Sequence, residues 1–355
     1  MKKRLLIIAL LLGTLGVRAQ ESATIKQEKE IGKVNGFLSK NVKLSGYVQF
    51  AYQYNDVKDA NGVYDKFSTK LAMFILTGDI TKDMSWMFQF EAASPRILEG
   101  YIQYKPSNYF QVKAGQMKTC FTLENQMSPS VYESANWDRI IAKTTGISGD
   151  IIGGHGGRDI GLQLGGEAVM MPFGGYLLDY RAGVFNGTGI ITSGLGVKAE
   201  DNNTKDLALY LTAQPIKGLR IGASSYTGRA HVTLNNVLAN YDRNRTALSA
   251  EYVNKRLTLR SEYIWGKNGS TDVKGLYSTG YYFIIPSRLA LLAKYEEFEY
   301  PSEYRGNTRM YTAGATYHFA PKTRLMLNYV YYDQHNASNT LRPMNEIICQ
   351  FQIGF

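Results

Sequence analysis

The sequence predicts an all-β protein, a transmembrane antiparallel β-barrel of about sixteen strands. Hydrophobic and polar residues alternate with a period of two over many segments, and the connections between these segments are alternately short and long. After the N-terminal apolar run, no segment has the roughly 18 consecutive apolar residues that a membrane helix needs. A chain with 26 tyrosines, 35 glycines and no such segment can cross a bilayer only as a closed barrel.

The first 19 residues predict a secretory signal peptide. Three basic residues, Lys2 to Arg4, precede an apolar run over 5–17 that is too short to cross a bilayer. Polar and charged residues follow at once, which disfavours a retained membrane anchor. We expect cleavage after Ala19, a polar periplasmic extension over residues 20–42, and the barrel over 43–355.

Charge and cysteine content give no indication of a nucleic-acid, metal or redox function. Cleavage removes four basic residues and no acidic residue, so the formal net charge falls from +10 to +6 (10 − 4 = 6). This mild excess does not indicate nucleic acid as a partner. Cys120 and Cys349 show neither metal-ligand nor redox spacing. Two unpaired, buried cysteines are the favoured interpretation, and a single disulfide is the alternative.

Loop lengths predict how the strands are connected. Alternation is strict over 46–54, 82–92, 110–116 and 257–265, and less strict over 207–213. The short connections are 80–83, 106–108, 171–174, 215–218, 254–255, 285–287 and 320–323. The longer ones are 55–66, 94–95, 119–157, 186–205, 228–243, 267–270, 300–307 and 333–344. The regular segregation favours short periplasmic turns and long outer loops over a soluble sandwich or propeller.

The two faces of each strand predict which residues meet lipid. In the last strand, the odd-numbered positions from Ile347 to Phe355 are apolar, whereas Glu346, Gln350 and Gln352 share the other face. The same parity directs 325–331 (odd positions) outward, and likewise 289–295 and most of 257–265. The predicted basic residues of the pore lining are Lys113, Arg181, Arg220, Arg245, Arg256, Arg260, Arg288, Lys294 and Arg324. A nearly equal set of acidic residues shares this inner face.

Four of these basic residues follow short turns: Arg220, Arg256, Arg288 and Arg324. If they face inward, they form an arc at the periplasmic mouth, and such arrangements of arginine attract anions. The alternative is that basic residues near turns serve assembly or contact lipid head groups. The sequence leaves both interpretations open.

The longest connection, residues 119–157, is predicted to fold into the lumen and narrow it. A 39-residue segment without strong periodicity inside a barrel is functional or disordered, and its apolar content is too high for a disordered segment. The constriction candidates are its charged residues: Glu124, Glu133, Asp138, Arg139, Lys143 and Asp150. The alternative is a lid over the outer rim.

Several segments resemble the phosphate-selective porin O/P family. They are Gly100–Tyr104, Gln111–Lys118, Phe121–Glu124, Gly157–Gly165 and Gly183–Gly187, and the similarity is best across 97–190. The resemblance implies a sixteen-stranded, usually trimeric, anion-preferring channel in which these segments flank the third loop.

These observations predict an outer-membrane porin for passive diffusion of small hydrophilic solutes, with a preference for anions and phosphate as one candidate. The four histidines form no zinc spacing, and the glycine run 153–157 has no accompanying nucleophile motif, so we expect no enzyme, cofactor or metal. The expected partners are outer-membrane lipid, lipopolysaccharide, small anions and, from the resemblance, two further copies in a homotrimer. The alternative function is a barrel that anchors a surface adhesion or assembly system.

Overall fold

A computed structural model describes residues 41–58, 62–148, 150, 156–190, 203–234, 236–299, 307–334 and 342–355. The strands are β1 (Val42–Asn55), β2 (Asp65–Asp79), β3 (Met84–Glu91), β4 (Arg96–Ser107), β5 (Phe110–Lys118), β6 (Arg158–Met170), β7 (Tyr176–Phe185), β8 (Asp206–Ile216), β9 (Leu219–Leu234), β10 (Val237–Val253), β11 (Leu257–Asn268), β12 (Thr271–Ile285), β13 (Leu289–Glu299), β14 (Asn307–Ala320), β15 (Thr323–Gln334) and β16 (Met344–Gly354). Each strand pairs antiparallel with its neighbours in the chain, and β1 pairs with β16 to close the barrel. The predicted fold class is confirmed.

The first and last strands meet along a continuous ladder. Their register runs from Tyr47 opposite Gly354 to Asn55 opposite Glu346, and Phe355 exchanges backbone hydrogen bonds with Gly46 at 3.0 and 3.2 Å. Closure leaves no strand edge unpaired, which a bilayer requires because lipid cannot hydrogen-bond to the backbone. The predicted signal peptide and nearly all of the predicted extension lie outside the described residues, so these domain assignments stay predictions.

One predicted loop is wrong. Residues 228–243 were expected to form a long connection, but β9 continues to Leu234 and β10 begins at Val237. Across this hairpin Arg229 pairs with Asp242 at 3.0 Å. Polar cross-strand pairs replace the apolar alternation here, which is why periodicity missed the strands. The loops predicted over 300–307 and 333–344 lie mostly outside the described residues.

The two faces of the wall have the predicted character. On the outer face, Leu327 is 53% exposed and Ile353 is 44% exposed. Lipid covers such side chains in the membrane. On the inner face, Gln350 and Gln352 are each only 1% exposed. Cys120 is buried and Cys349 is only half-buried, and both are free thiols. No helix among the described residues has the length and apolarity needed to cross a membrane.

The described part of the connection between β5 and β6, residues 119–148, 150, 156 and 157, lies inside the barrel, as predicted, and not over its rim. We call residues 119–157 the infolded loop. It contains a short helix α1 (Leu123–Gln126), a 3-10 turn (Pro129–Val131) and a second helix α2 (Arg139–Thr144). Its backbone and side chains contact strands on opposite sides of the lumen, which the next subsection describes.

Candidate functional site

An apolar core holds one side of the infolded loop against the wall. Phe121, Ile140 and Ile141 are at most 1% exposed and belong to a cluster that also contains Tyr226 and Phe298 of the barrel. Gly275 on β12 admits this contact, because a Cβ atom there would lie 2.8 Å from the Ile140 side chain. The β7–β12 side of the lumen is therefore filled, and open space is left elsewhere.

The N-terminus of α1 is capped by a carboxylate from the wall. The backbone N–H groups of Leu123 and Glu124 donate to Glu262 at 2.7 and 2.8 Å, and the Tyr277 hydroxyl donates to the same carboxylate at 2.8 Å. These donors would otherwise lack partners, since the first N–H groups of a helix have none within it. Glu262 thus fixes where the loop begins its course across the lumen.

Arg260 joins the middle of the infolded loop to the wall. Its guanidinium donates to both oxygens of Glu133 in the loop, at 2.7 and 3.2 Å, and to Glu251 on β10 at 2.8 Å. The Arg260 side chain is only 4% exposed. A buried cation between two carboxylates is stable only while both partners stay in place.

The start of α2 is held by a second buried cluster. Lys294 on β13 lies 2.5 Å from Asp138 and 2.9 Å from Glu296, and the Arg139 backbone N–H donates to Glu296 at 2.7 Å. Burial raises the pKa of Asp138 well above its usual range, and the neighbouring Glu124 carboxylate adds to the increase while Lys294 opposes it. Burial also raises the pKa of Glu124. Three acidic side chains, Asp138, Glu296 and Glu124, therefore surround the single buried cation Lys294.

The end of the infolded loop is fixed by Arg245 on β10. Its guanidinium lies 2.9 Å from Asp150 and also donates to the carbonyl of Thr144, the last residue of α2. Both ion-pair side chains are fully buried. The loop returns to the wall at Gly157, whose carbonyl accepts from the Thr119 backbone N–H at 3.1 Å.

The far end of the infolded loop contacts the seam where the barrel closes. Gln49 on β1 donates to the Pro129 carbonyl at 3.4 Å and to Gln352 on β16 at 2.8 Å. Gln352 in turn donates to the Ser130 carbonyl at 3.1 Å. The loop is therefore bound to both strands of the seam.

A first cavity of about 260 Å³ lies between the infolded loop and strands β2–β7. Its charged lining residues are Lys113, Lys118, Arg158, Arg181 and Glu99. Arg158 pairs with Glu99 at 3.1 Å, and Arg181 pairs with Asp179 at 2.6 Å. Lys113 lies 4.9 Å from the centre of the Tyr101 ring, and Lys118 donates to the Met127 carbonyl at 2.5 Å. Neither lysine has a carboxylate partner in the described part of the chain.

A second cavity of about 300 Å³ lies between α2 and strands β13–β15. Arg139, Lys143 and the buried Lys294–Glu296 pair supply its charges, and Trp137 and Tyr332 are its aromatic lining. The Arg139 guanidinium lies 5.4 Å from the centre of the Tyr332 ring. The two cavities flank the infolded loop on opposite sides.

Comparison with known proteins identifies the family. A family model described as Gram-negative porin matches residues 8–342. The chain belongs to the Gram-negative porin family. It is a protein of the bacterial outer membrane. No curated protein sequence matches it significantly.

Solved structures share the fold of this porin at low sequence identity. An anion-selective porin from Comamonas acidovorans matches with a TM-score of 0.67 and 14% identity, covering 88% of this chain and 99% of that one. The trimer form of OmpT from Vibrio cholerae matches with a TM-score of 0.61, 14% identity and the same coverage. The DcaP channel of Acinetobacter baumannii matches with a TM-score of 0.61 and 13% identity, covering 88% and 97%.

The structure separates the predicted basic residues into three groups. Lys113 and Arg181 line the first cavity, whereas Arg245, Arg260 and Lys294 are buried in ion pairs with the infolded loop. The remaining four are the predicted arginine arc. Arg220 is half-exposed on β9 at 3.7 Å from Glu251, Arg324 is buried and donates to Gln352, and Arg256 and Arg288 are exposed in turns.

The predicted constriction residues also divide by role. Glu133, Asp138 and Asp150 hold the infolded loop against the wall through the ion pairs described above, whereas the Glu124 carboxylate accepts from the Asp138 backbone N–H at 3.3 Å within the loop. Arg139 and Lys143 are half-buried and line the second cavity. The charges of the loop therefore serve mostly to position it, and two of its cations face open space.

Sequence reasoning missed three basic residues of the lumen: Lys70, Lys118 and Arg158. A register shift between β1 and β2 at Gln49 and Phe50 lets Lys70 donate to the Ala135 carbonyl inside the barrel. Such a bulge changes the parity that assigns faces. Lys118 and Arg158 lie opposite each other in the backbone register of β5 and β6, where these strands meet the two ends of the infolded loop. Their direct attachment to the 119–157 segment was the signal that could have identified them.

Proposed function

We propose that this porin is a passive diffusion channel that prefers small anions. The observation that carries the proposal is the first cavity. Two of its four basic residues are paired with carboxylates, and the other two, Lys113 and Lys118, lie beside the infolded loop without a carboxylate partner in the described residues. Fixed cations in a narrow aqueous passage attract anions and repel cations.

The mechanism has no chemical step. The infolded loop reduces the open cross-section, and its buried anchors keep it in one position. An anion that enters the first cavity meets basic side chains on its walls, and the Tyr101 ring beside Lys113 offers no negative group that would compete. The fold shared with an anion-selective porin supports this assignment, and phosphate is one candidate solute.

We also propose a homotrimer as the assembled state. The support is the resemblance seen in the sequence and the fold shared with a trimer form of OmpT. Each copy carries its own lumen and infolded loop, so the proposed selectivity resides in a single chain. Outer-membrane lipid and lipopolysaccharide are the expected surroundings of the outer wall.

The reversal potential of purified protein in a planar bilayer under a salt gradient tests the anion preference. The variant is Lys113→Gln/Lys118→Gln. The matched control is Lys217→Gln/Lys255→Gln, which removes two exposed lysines from turns. We expect the wild type and the control to be anion-selective and the cavity variant to lose most of that selectivity. Equal selectivity in all three proteins would contradict the role of the first cavity.

The same assay tests the predicted arginine arc separately. The variant changes Arg220, Arg256, Arg288 and Arg324 to Gln. Anion selectivity lower than that of the wild type would assign the arc a role in attracting anions to the mouth. Unchanged selectivity would favour the alternative interpretation, in which turn arginines serve assembly or contact lipid head groups. A folded wild type without conductance would contradict the channel itself.

A further inference from the structure

The second cavity has walls of a different kind from the first. Trp137, Met310, Val330 and Tyr332 give it apolar and aromatic surfaces, and Arg139 and Lys143 contribute positive charge. Ligand sites in proteins have this composition: mostly apolar walls with a few charged or polar groups that orient the ligand. A passage for hydrated ions alone does not need an indole in its wall.

The Arg139 guanidinium lines the second cavity and forms no ion pair within the described residues. Its backbone N–H donates to Glu296, but its guanidinium pairs with no carboxylate in the described part of the chain. It lies over the Tyr332 ring and is half-buried. Lys294, by contrast, is engaged by Asp138 and Glu296. Arg139 is therefore the cation best placed to receive an anion in this cavity.

Trp137 supplies the complementary apolar surface. Its ring packs edge-on against Tyr132 at a centroid distance of 4.8 Å, which fixes its orientation. The indole N–H makes no hydrogen bond to any of the residues that the structure describes. The indole can thus contact a flat apolar group and still donate a hydrogen bond.

We propose that the second cavity binds a small organic carboxylate with a flat apolar body, such as an aromatic acid. Arg139 pairs with the carboxylate, and Trp137 and Tyr332 contact the body. Guanidinium and carboxylate match in geometry and can form two parallel hydrogen bonds. The volume of about 300 Å³ is enough for a single-ring acid.

This site selects against simple anions. Acetate presents the same carboxylate as benzoate but leaves the aromatic walls in contact with water. Burial of roughly 100 Å² of ring surface, even when half realised, makes benzoate bind at least about tenfold more tightly than acetate. Benzyl alcohol has the ring without the charge and leaves Arg139 without a partner.

Fluorescence titration of the folded, detergent-solubilised full chain tests the proposal. The probes are benzoate, acetate and benzyl alcohol. The chain has three tryptophans, and the other two, Trp86 and Trp265, lie on β3 and β11. We expect a saturable response to benzoate that the Trp137→Phe variant lacks. A response that is the same in this variant would overturn the assignment.

Variants separate the charge from the apolar wall. Arg139→Gln should weaken benzoate binding by about tenfold or more, since a charge-assisted hydrogen bond is lost, and leave the weak response to benzyl alcohol unchanged. Lys217→Gln, an exposed turn lysine, is the matched control and should bind benzoate as the wild type does. Unchanged affinity in Arg139→Gln, or acetate binding equal to that of benzoate, would contradict the proposal. Because binding is measured without current, failure here leaves the proposed anion channel untouched.

Discussion

Arg260→Met should release the infolded loop from the wall. In the native structure, one guanidinium holds Glu133 of the loop and Glu251 of β10 at 2.7 to 3.2 Å. Methionine fills a similar volume but leaves Glu133, 11% exposed, without its cation, and leaves Glu251, 9% exposed, with only Arg220 at 3.7 Å. The lost ion pairs should weaken the docking of the infolded loop and not the barrel itself, because the backbone hydrogen bonds between the strands are unchanged.

The magnitude follows from the burial of the pair. Removal of one partner from a buried ion pair costs about 3–5 kcal/mol, because the other charge stays desolvated. A shift of about 3 kcal/mol changes the ratio of docked to undocked loop by roughly 100-fold. The comparison is Arg229→Met, which breaks the Arg229–Asp242 pair, where both side chains are more than half exposed. That pair contributes at most about 1 kcal/mol.

Single-channel recording measures the outcome. We expect Arg260→Met to show higher mean conductance and stronger current noise than the wild type, and Arg229→Met to match the wild type. Protease cleavage within residues 119–157 should accelerate in the first variant only. Addition of Glu133→Gln to Arg260→Met should restore part of the docking, since one unpaired charge disappears. Conductance and cleavage identical in both arginine variants would refute the reasoning.

Three further predictions concern the same region and the closing strand. Ile141→Ala should cost about 2–5 kcal/mol of loop docking through the cavity it leaves in the apolar core, measured as faster cleavage of the loop. Burial raises the pKa of Asp138 and of Glu124, so ionisation opposes docking. The docked loop should be most stable at acidic pH and lose stability as pH rises above the usual pKa of these groups. The measurement is current noise between pH 4 and pH 9, which should increase with pH. Noise independent of pH would contradict this expectation. Phe355→Ala removes a ring that packs against Phe74, at a centroid distance of 6.0 Å, and should lower the yield of folded barrel in a heat-modifiability assay.

Strands were predictable because their two faces meet different solvents. Lipid on one side and water on the other impose a period of two, as in β16 with Ile353 outside and Gln352 inside. The strands of the hairpin over 228–243 were not predicted, because polar cross-strand pairs replace the apolar face there. The inward position of Lys70 was not predicted, because a bulge in β2 shifts the alternation of inward and outward side chains by one residue.

The course of the infolded loop could not be predicted from the sequence beyond its presence in the lumen. Its anchors come from strands that lie far away in the chain: Glu262 contacts α1 across 138 and 139 residues, and Asn328 contacts Ala135 across 193 residues. No local pattern encodes such pairs. Inward charges such as Arg245 and Arg260 read equally well as pore lining and as anchors, and only the fold shows that they meet Asp150 and Glu133.

The hydrogen bonds between the infolded loop and the seam link two events in assembly. Gln49 and Gln352 are 303 positions apart, and together they bind the carbonyls of Pro129 and Ser130. The complete set exists only after the first and last strands have met. Contacts this distant in sequence form late, because chain entropy must be overcome first. We therefore expect the loop to reach its final position only after the barrel has closed, and a barrel that has not closed should leave the loop open to periplasmic proteases.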